Sequence, residues 1–142
     1  MEQSVIIPLP DGGQLAGTLR QGAALQAAKR VVVICHGVLG HKDYLFQPEL
    51  ARHLDFYGSS FRFDFRGNGG SSGEPKYARF HEDVEDLQVV VKHLRDNGLE
   101  VEGIIGHSRG PAPILSLSIL SHWTEWVAPI HRCPCLSEVR LV

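Results

Sequence analysis

Val101-Glu102-Gly103-Ile104-Ile105-Gly106-His107-Ser108-Arg109-Gly110 is the stretch around which the chain is organised. A β-branched and apolar run ends in Gly-His-Ser-Arg-Gly, and an apolar segment with Pro111 and Pro113 follows. This is the G-x-S-x-G pattern, in which a strand turns sharply into a helix and presents a serine at the tip. Gly106 and Gly110 have a steric reason to be there. At so tight a turn a side chain would collide with the neighbouring strand or helix, and Ser108 itself must hold a strained backbone.

Working outward from that stretch, the spacing predicts an alternation of strands and helices. Ser4 to Pro10 and Gln14 to Leu19 read as a hairpin around Asp11-Gly12-Gly13, with Pro8 marking an edge strand. Gln21 to Lys29 is a small, Ala-rich connector, and Arg30 to Cys35 is a continuous β-branched run of the kind buried on both faces of a parallel sheet. A loop over His36 to Asp43 leads to a predicted helix over Gln47 to Tyr57, with Phe46, Leu50 and Leu54 on one face and Gly58 as its stop. Phe61, Phe63 and Phe65 alternate with Arg62 and Asp64 in a strand over Ser59 to Phe65, followed by a Gly/Ser loop to Gly73.

Phe80 to Asn97 carries the clearest helical stripe: Val84, Leu87, Val91 and Leu94. Its acids Glu82, Asp83, Glu85 and Asp86 suit the start of a helix dipole and read as a solvated face; Gly98 caps the end. Leu99 to Ile105 is the strand that feeds the turn, and Pro111 to Leu120 the helix after it. The order β-β-β-α-β-α-β-α implies an α/β fold, mostly parallel after an N-terminal antiparallel hairpin, with helices on both faces.

Composition excludes several classes. Hydrophobic residues make up 43% and charged ones 21%, with 14 basic and 16 acidic residues interspersed for a net charge of −2. That is a globular balance without the basic stripe of a nucleic-acid or anionic-membrane binder. No apolar run reaches the roughly 20 residues that span a bilayer, and Met1 to Gly13 lacks a signal-peptide layout. Three cysteines, an odd number, suit a reducing compartment, so a cytoplasmic protein is expected. Cys35, in a buried strand, reads as a small core residue.

Three motifs fall on successive strand ends: His36-Gly37, then Asp64-Phe65-Arg66-Gly67-Asn68-Gly69-Gly70-Ser71-Ser72-Gly73, then Gly106-His107-Ser108-Arg109-Gly110. Together they resemble the α/β-hydrolase superfamily, and within it the serine aminopeptidase and monoacylglycerol-lipase-like branch. The D-x-R-G-x-G-x-S-x-G loop is the specific part, and the resemblance covers about Val5 to Gly110. It implies the N-terminal half of an α/β-hydrolase domain over residues 1–110. Ser108 would be the nucleophile, and the backbone N–H groups of Val38 and Arg109 the oxyanion hole. His36, Gly37 and His107 flank the site as substrate-binding positions, His107 being readable also as packing beside the serine. The Asp64–Gly73 loop would shape the pocket wall; it matches neither G-x-G-x-x-G nor the phosphate-cradling P-loop.

A serine hydrolase also needs a histidine to accept the hydroxyl proton and an acid to orient it. In this superfamily they follow the serine in the order acid, then histidine. Only residues 109–142 follow Ser108, and their character changes. From Pro111 to Val142 there is no Gly, Asp or Lys, yet both tryptophans and two of the three cysteines fall there. Residues 111–142 are therefore read as an atypical tail, with truncation, alternative splicing or a shifted reading frame as its expected origin. Within it Glu125 is the candidate acid and His131 the candidate base, with His122 as a second. His131-Arg132-Cys133-Pro134-Cys135 offers three metal-ligand types without a fourth at a recognised spacing, so no metal and no organic cofactor is expected. Two functions stay open. One is acyl transfer from a small ester or amide to water through Ser108, with impaired activity expected because the acid and histidine are not evident in the family's usual places. The other is a non-catalytic chain that binds an acyl ligand or a partner, or self-associates through an exposed Val101–Ile105 edge.

Overall fold

Period-two alternation and one tight turn generate the first sheet edge. In the computed structural model, which describes residues 1–22, 29–76 and 80–106, β1 (Glu2–Pro8) and β2 (Gln14–Arg20) form the expected hairpin, in register from Glu2↔Arg20 to Pro8↔Gln14. The Asp11 carboxylate closes the turn by accepting the Gly13 N–H at 2.9 Å. Pro8 sits on β1, an edge strand, where a missing ladder donor is tolerated. The helix predicted over Pro111–Leu120, and the site candidates His107, Ser108, Arg109, Glu125 and His131, lie outside the described residues.

The remaining elements are β3 (Arg30–Cys35), α1 (Gln47–His53) with a 3-10 turn over Leu54–Phe56, β4 (Ser59–Phe63), α2 (Phe80–Asp96) and β5 (Glu100–Gly106). The sheet order is β1-β2-β4-β3-β5. It is mixed: β2 is antiparallel to both its neighbours, while β3 is parallel to β4 and β5, so β2 alone opposes the other four strands. β3 is buried from Val31 to Cys35, as its unbroken apolar run predicts.

One face of the sheet carries the core. Val31, Val33, Cys35, Phe61, Phe63, Phe65, Leu15 and Ile7 pack against Leu87, Val90, Val91 and Leu94 of α2. Phe63 lies between two other rings: stacked on Phe61 at 6.5 Å between centroids and edge-on to Phe65 at 4.7 Å. Gly17 makes room for this row, since a Cβ there would stand 2.2 Å from Phe61 Cζ. Phe63→Ala is expected to destabilise the fold by about 3–5 kcal/mol, from lost burial and the cavity left between two rings. A urea-unfolding midpoint measures the loss directly.

The opposite face, formed by even-numbered strand residues, mixes the buried apolar Val32 and Ile34 of β3 with charged side chains on β1, β2 and β4. Arg62 is 4% exposed at its side chain and pairs with Glu2 (3.0 Å) and with Asp43 (3.1 Å); Arg20 pairs with Asp55 of the 3-10 turn at 2.5 Å. These contacts place α1 and its following turn on this face, opposite α2. The Arg62 guanidinium, against a push upward from burial, holds the Glu2 carboxyl below its ordinary range. A lowered carboxylate pKa contributes stability that is present above the unfolded value, about 4.3, and lost as pH falls through the folded value. Wild type is therefore expected to lose more stability than Glu2→Gln on acidification from about pH 6 to pH 3. The difference should stay below about 1 kcal/mol, because Glu2 is partly exposed; denaturant titrations at the two pH values measure it.

Three sequence expectations need correction. The buried residues of α1 are Gln47 and Ala51, while Phe46 is 44% exposed and Leu50 and Leu54 are half-buried. α1 meets β4 and buries its small Ala51, a residue that lets a helix approach a sheet closely. The acids of α2 are not all solvated: Asp83 and Asp86 are buried, and Asp86 takes the Arg66 backbone N–H at 2.8 Å and its Nε at 2.9 Å. Burial pushes the Asp86 carboxyl above its ordinary range even against these bonds. Strand β4 ends at Phe63 instead of Phe65, because the Phe65 N–H goes to the His36 ring and not to a neighbouring strand. No helix among the described residues is long and apolar enough to cross a membrane.

Candidate active site

The parallel strands β4, β3 and β5 end side by side. Cys35 is in register with Phe63 on one side and with Gly106 on the other. The segments beginning at Asp64, His36 and His107 therefore leave three neighbouring strand ends, each about 4.8 Å from the next. In open α/β sheets this carboxyl end is where ligands bind. Ser108 follows Gly106 by two residues in the sequence and lies outside the described residues.

After β3 the chain makes a tight turn in which the Gly40 N–H donates to the Gly37 carbonyl at 3.1 Å. Leu39, its third residue, holds φ +54°. A turn with a positive φ only at that position is type II, which glycine normally occupies. Leucine there carries a strain of about 1–2 kcal/mol. Val38 is 43% exposed, and no described residue accepts a hydrogen bond from its N–H.

His36 is 1% exposed. Its Nε2 accepts the Phe65 N–H at 3.0 Å, and its Nδ1 lies 2.7 Å from the Gly37 carbonyl. With Nε2 accepting, the proton belongs on Nδ1, which donates to Gly37. The ring is thus a strut between the ends of β3 and β4, spent on backbone, a different use from the substrate contact that the motif suggests. Gly37 is buried within the same strut, and Val38 is the first exposed residue after it.

The Asp64–Gly73 loop is knitted to both neighbours. Asp64 is fully buried; its carboxylate takes the Lys42 N–H at 2.5 Å and the Gly70 N–H at 2.9 Å, with the Lys42 ammonium 3.6 Å away. Burial works against the Lys42 charge, but Asp43 and Asp64 outweigh it and raise the ammonium's pKa. Ser71 Oγ accepts the Ala16 N–H at 2.9 Å and donates to the Asp64 carbonyl at 2.6 Å. Ser72 Oγ accepts the Gln14 N–H at 3.0 Å. Gly69 has φ +51°, and a Cβ there would fall 2.2 Å from the Asp64 carboxylate. Four of the six fixed letters of the D-x-R-G-x-G-x-S-x-G pattern thus have a structural use in this loop: Asp64 and Arg66 anchor it, Gly69 admits the carboxylate, and Ser71 ties it to β2. Cys35 is buried, and burial, then the Asp83 charge, push its thiol pKa far up, away from the reactive thiolate form.

Comparison with known proteins agrees with this geometry. The family model "Serine aminopeptidase, S33" matches residues 26–139, a span that continues past Gly110, where the three motifs end. An uncharacterized protein of Saccharomyces cerevisiae is 30% identical, over 80% of this chain and 39% of its own length. Among solved structures, the α/β hydrolase GrgF from Penicillium superposes with a TM-score of 0.74 at 23% identity, covering 86% of this chain and 43% of GrgF. Est1E from Butyrivibrio proteoclasticus, solved with ferulic acid bound, gives 0.73 at 20% identity, covering 83% and 48%. An alpha-beta serine hydrolase homologue from Coxiella burnetii gives 0.71 at 25%, covering 84% and 58%. The chain thus spans about half the length of the proteins it matches. With the motifs on adjacent strand ends and the family model matched over most of its length, the chain belongs to the serine aminopeptidase family of α/β hydrolases.

Proposed function

We propose that this chain carries the nucleophile and oxyanion hole of a serine hydrolase that transfers an acyl group from a small ester or amide to water. The observation that supports this most is the Cys35↔Gly106 register, by which the strand leading to the Val38 turn and the strand leading to Ser108 end side by side. In the family pattern the oxyanion hole joins the N–H after the nucleophile to one from the loop after the third strand. Arg109 and Val38 occupy those two places.

The reaction runs in two halves. Ser108 Oγ attacks the carbonyl carbon while His131, oriented by Glu125, takes its proton. The charge that develops on the carbonyl oxygen is stabilised by the N–H groups of Val38 and Arg109. His131 then protonates the departing alcohol or amine, leaving an acyl-Ser108 ester. Water, deprotonated by the same histidine, releases the acid and restores the serine. Gly37 and His107 border the acyl group, and His36 braces the turn. A cytoplasmic setting rests on the odd cysteine count.

The second reading is a non-catalytic chain that binds an acyl ligand or a partner. It draws on β5, which pairs only with β3 among the described residues and is half-buried from Glu102 to Gly106. Such an edge favours self-association. Trapping the acyl-enzyme separates the two. The protein is mixed briefly with p-nitrophenyl acetate, quenched in acid and digested. Hydrolysis through Ser108 leaves an acetyl group on the peptide that contains it; acetylation confined to lysines, or none, supports the binding reading.

A further inference from the structure

We propose that Asp64 is the positioning residue for the Val38 turn, holding its strained backbone in the conformation that presents the oxyanion donor; the proposal rests on the assignment of Val38 to that hole. Asp64 is fully buried, and its two oxygens are divided between the backbones of two loops: Oδ1 takes the Lys42 N–H at 2.5 Å, Oδ2 the Gly70 N–H at 2.9 Å. The ammonium of Lys42, 3.6 Å from Oδ2, matches the charge. The carboxylate is thus the join between the segment that carries Val38 and the glycine-rich loop beside it.

The turn needs such a join. Leu39 sits at φ +54° in a position suited to glycine, and the residue is 59% exposed. Packing of that side chain therefore does little to hold it. Strained backbone of this kind persists only where its surroundings over-determine it. One end is fixed by His36, bonded to Gly37 and Phe65. The other end is fixed at Lys42, two residues past Gly40, by Asp64. Gly69 shows the loop to be built around the carboxylate, because any Cβ there would overlap it.

Asp64→Asn tests this with little change in volume. The amide has a single oxygen, so one of the two N–H donors loses its acceptor and faces an NH₂ group instead. Amide hydrogen exchange across residues 38–42 is expected to quicken at least about tenfold in the variant, with β3 unchanged, as local opening becomes easier. For p-nitrophenyl acetate, kcat is expected to fall about 10–100-fold, a fraction of the loss from deleting an oxyanion donor, with KM nearly constant. Should Asp64→Asn fail to fold, Lys42→Met, which keeps both N–H bonds and removes only the ammonium that matches the carboxylate's charge, is expected to give the same pattern more weakly. Exchange across 38–42 that stays at the wild-type rate in the folded variant overturns the proposal, as does a fall in kcat/KM carried entirely by KM. A wild-type protein with no hydrolysis at all would instead refute the hydrolase reading, and the exchange measurement would still decide whether Asp64 holds the turn.

Discussion

Ser108→Ala is expected to lower the kcat of ester hydrolysis by about 10⁴-fold or more while leaving the unfolding midpoint unchanged. The magnitude follows from the role. Removing a nucleophile from an acyl-transfer site removes the covalent route altogether and leaves only the weak catalysis that the oxyanion hole and binding provide. Stability should hold because the variant deletes one hydroxyl and keeps Gly106 and Gly110. Steady-state kinetics with p-nitrophenyl acetate, beside a thermal melt, measure both. Retained hydrolysis in the variant would move the chemistry to another residue.

Val38→Pro is expected to keep the fold and lower kcat by about 10²–10³-fold, the usual cost of one missing oxyanion donor. The substitution suits the backbone. Val38 is the second residue of the type II turn closed by Gly40 and Gly37, a position where proline is common because its fixed φ matches. The residue before it is Gly37, which tolerates the extended backbone that a following proline demands. Only the N–H is lost, and no described residue uses it. By restricting the unfolded chain, the proline should even raise stability by about 0.4–1 kcal/mol. Val38→Ala serves as the control that keeps the N–H and is expected to keep most of kcat. If Val38→Pro behaved like Val38→Ala, the donor would have to be sought elsewhere.

Most of the architecture is legible because local rules and global fold agree. The Asp11-Gly12 turn, the unbroken Val31–Cys35 run, the Val84–Leu94 stripe and Gly98 each announce an element, and each is found. The strand order is another matter. Periodicity tells that β4 is a strand but not that it inserts between β2 and β3. The charged interior was hidden for a related reason. Arg62, Asp64 and Asp86 look solvent-facing in an alternating or helical pattern, but their partners Glu2, Lys42 and Arg66 lie about 20 to 60 residues away in the chain. Burial of a charge is decided by partners that only the fold brings together. α1 misled through its own stripe: Phe46 and Leu50 keep helical spacing, yet it is Ala51 that the structure buries.

The site was legible as motifs and illegible as geometry. Spacing placed His36, Asp64 and the Gly106–Gly110 turn on strand ends, and the register puts those ends side by side. It gave no sign that the His36 ring turns inward onto backbone or that Asp64 divides its oxygens between two loops, because both bond to main-chain N–H groups that carry no residue-specific signature. A carboxylate at a strand end just before a glycine-rich loop is the nearest thing to a signal, since such loops offer N–H groups and little bulk.

The most direct measurement is labelling of the purified protein with a fluorophosphonate, followed by peptide mapping. Such a probe reacts with a serine only when its hydroxyl is activated and its phosphoryl oxygen can be received by an oxyanion hole. Stoichiometric labelling on the peptide containing Ser108, slowed in Val38→Pro and absent from Ser108→Ala, is the expected result. A folded protein that takes up no label, or takes it up equally with Ser108 replaced, would contradict the account.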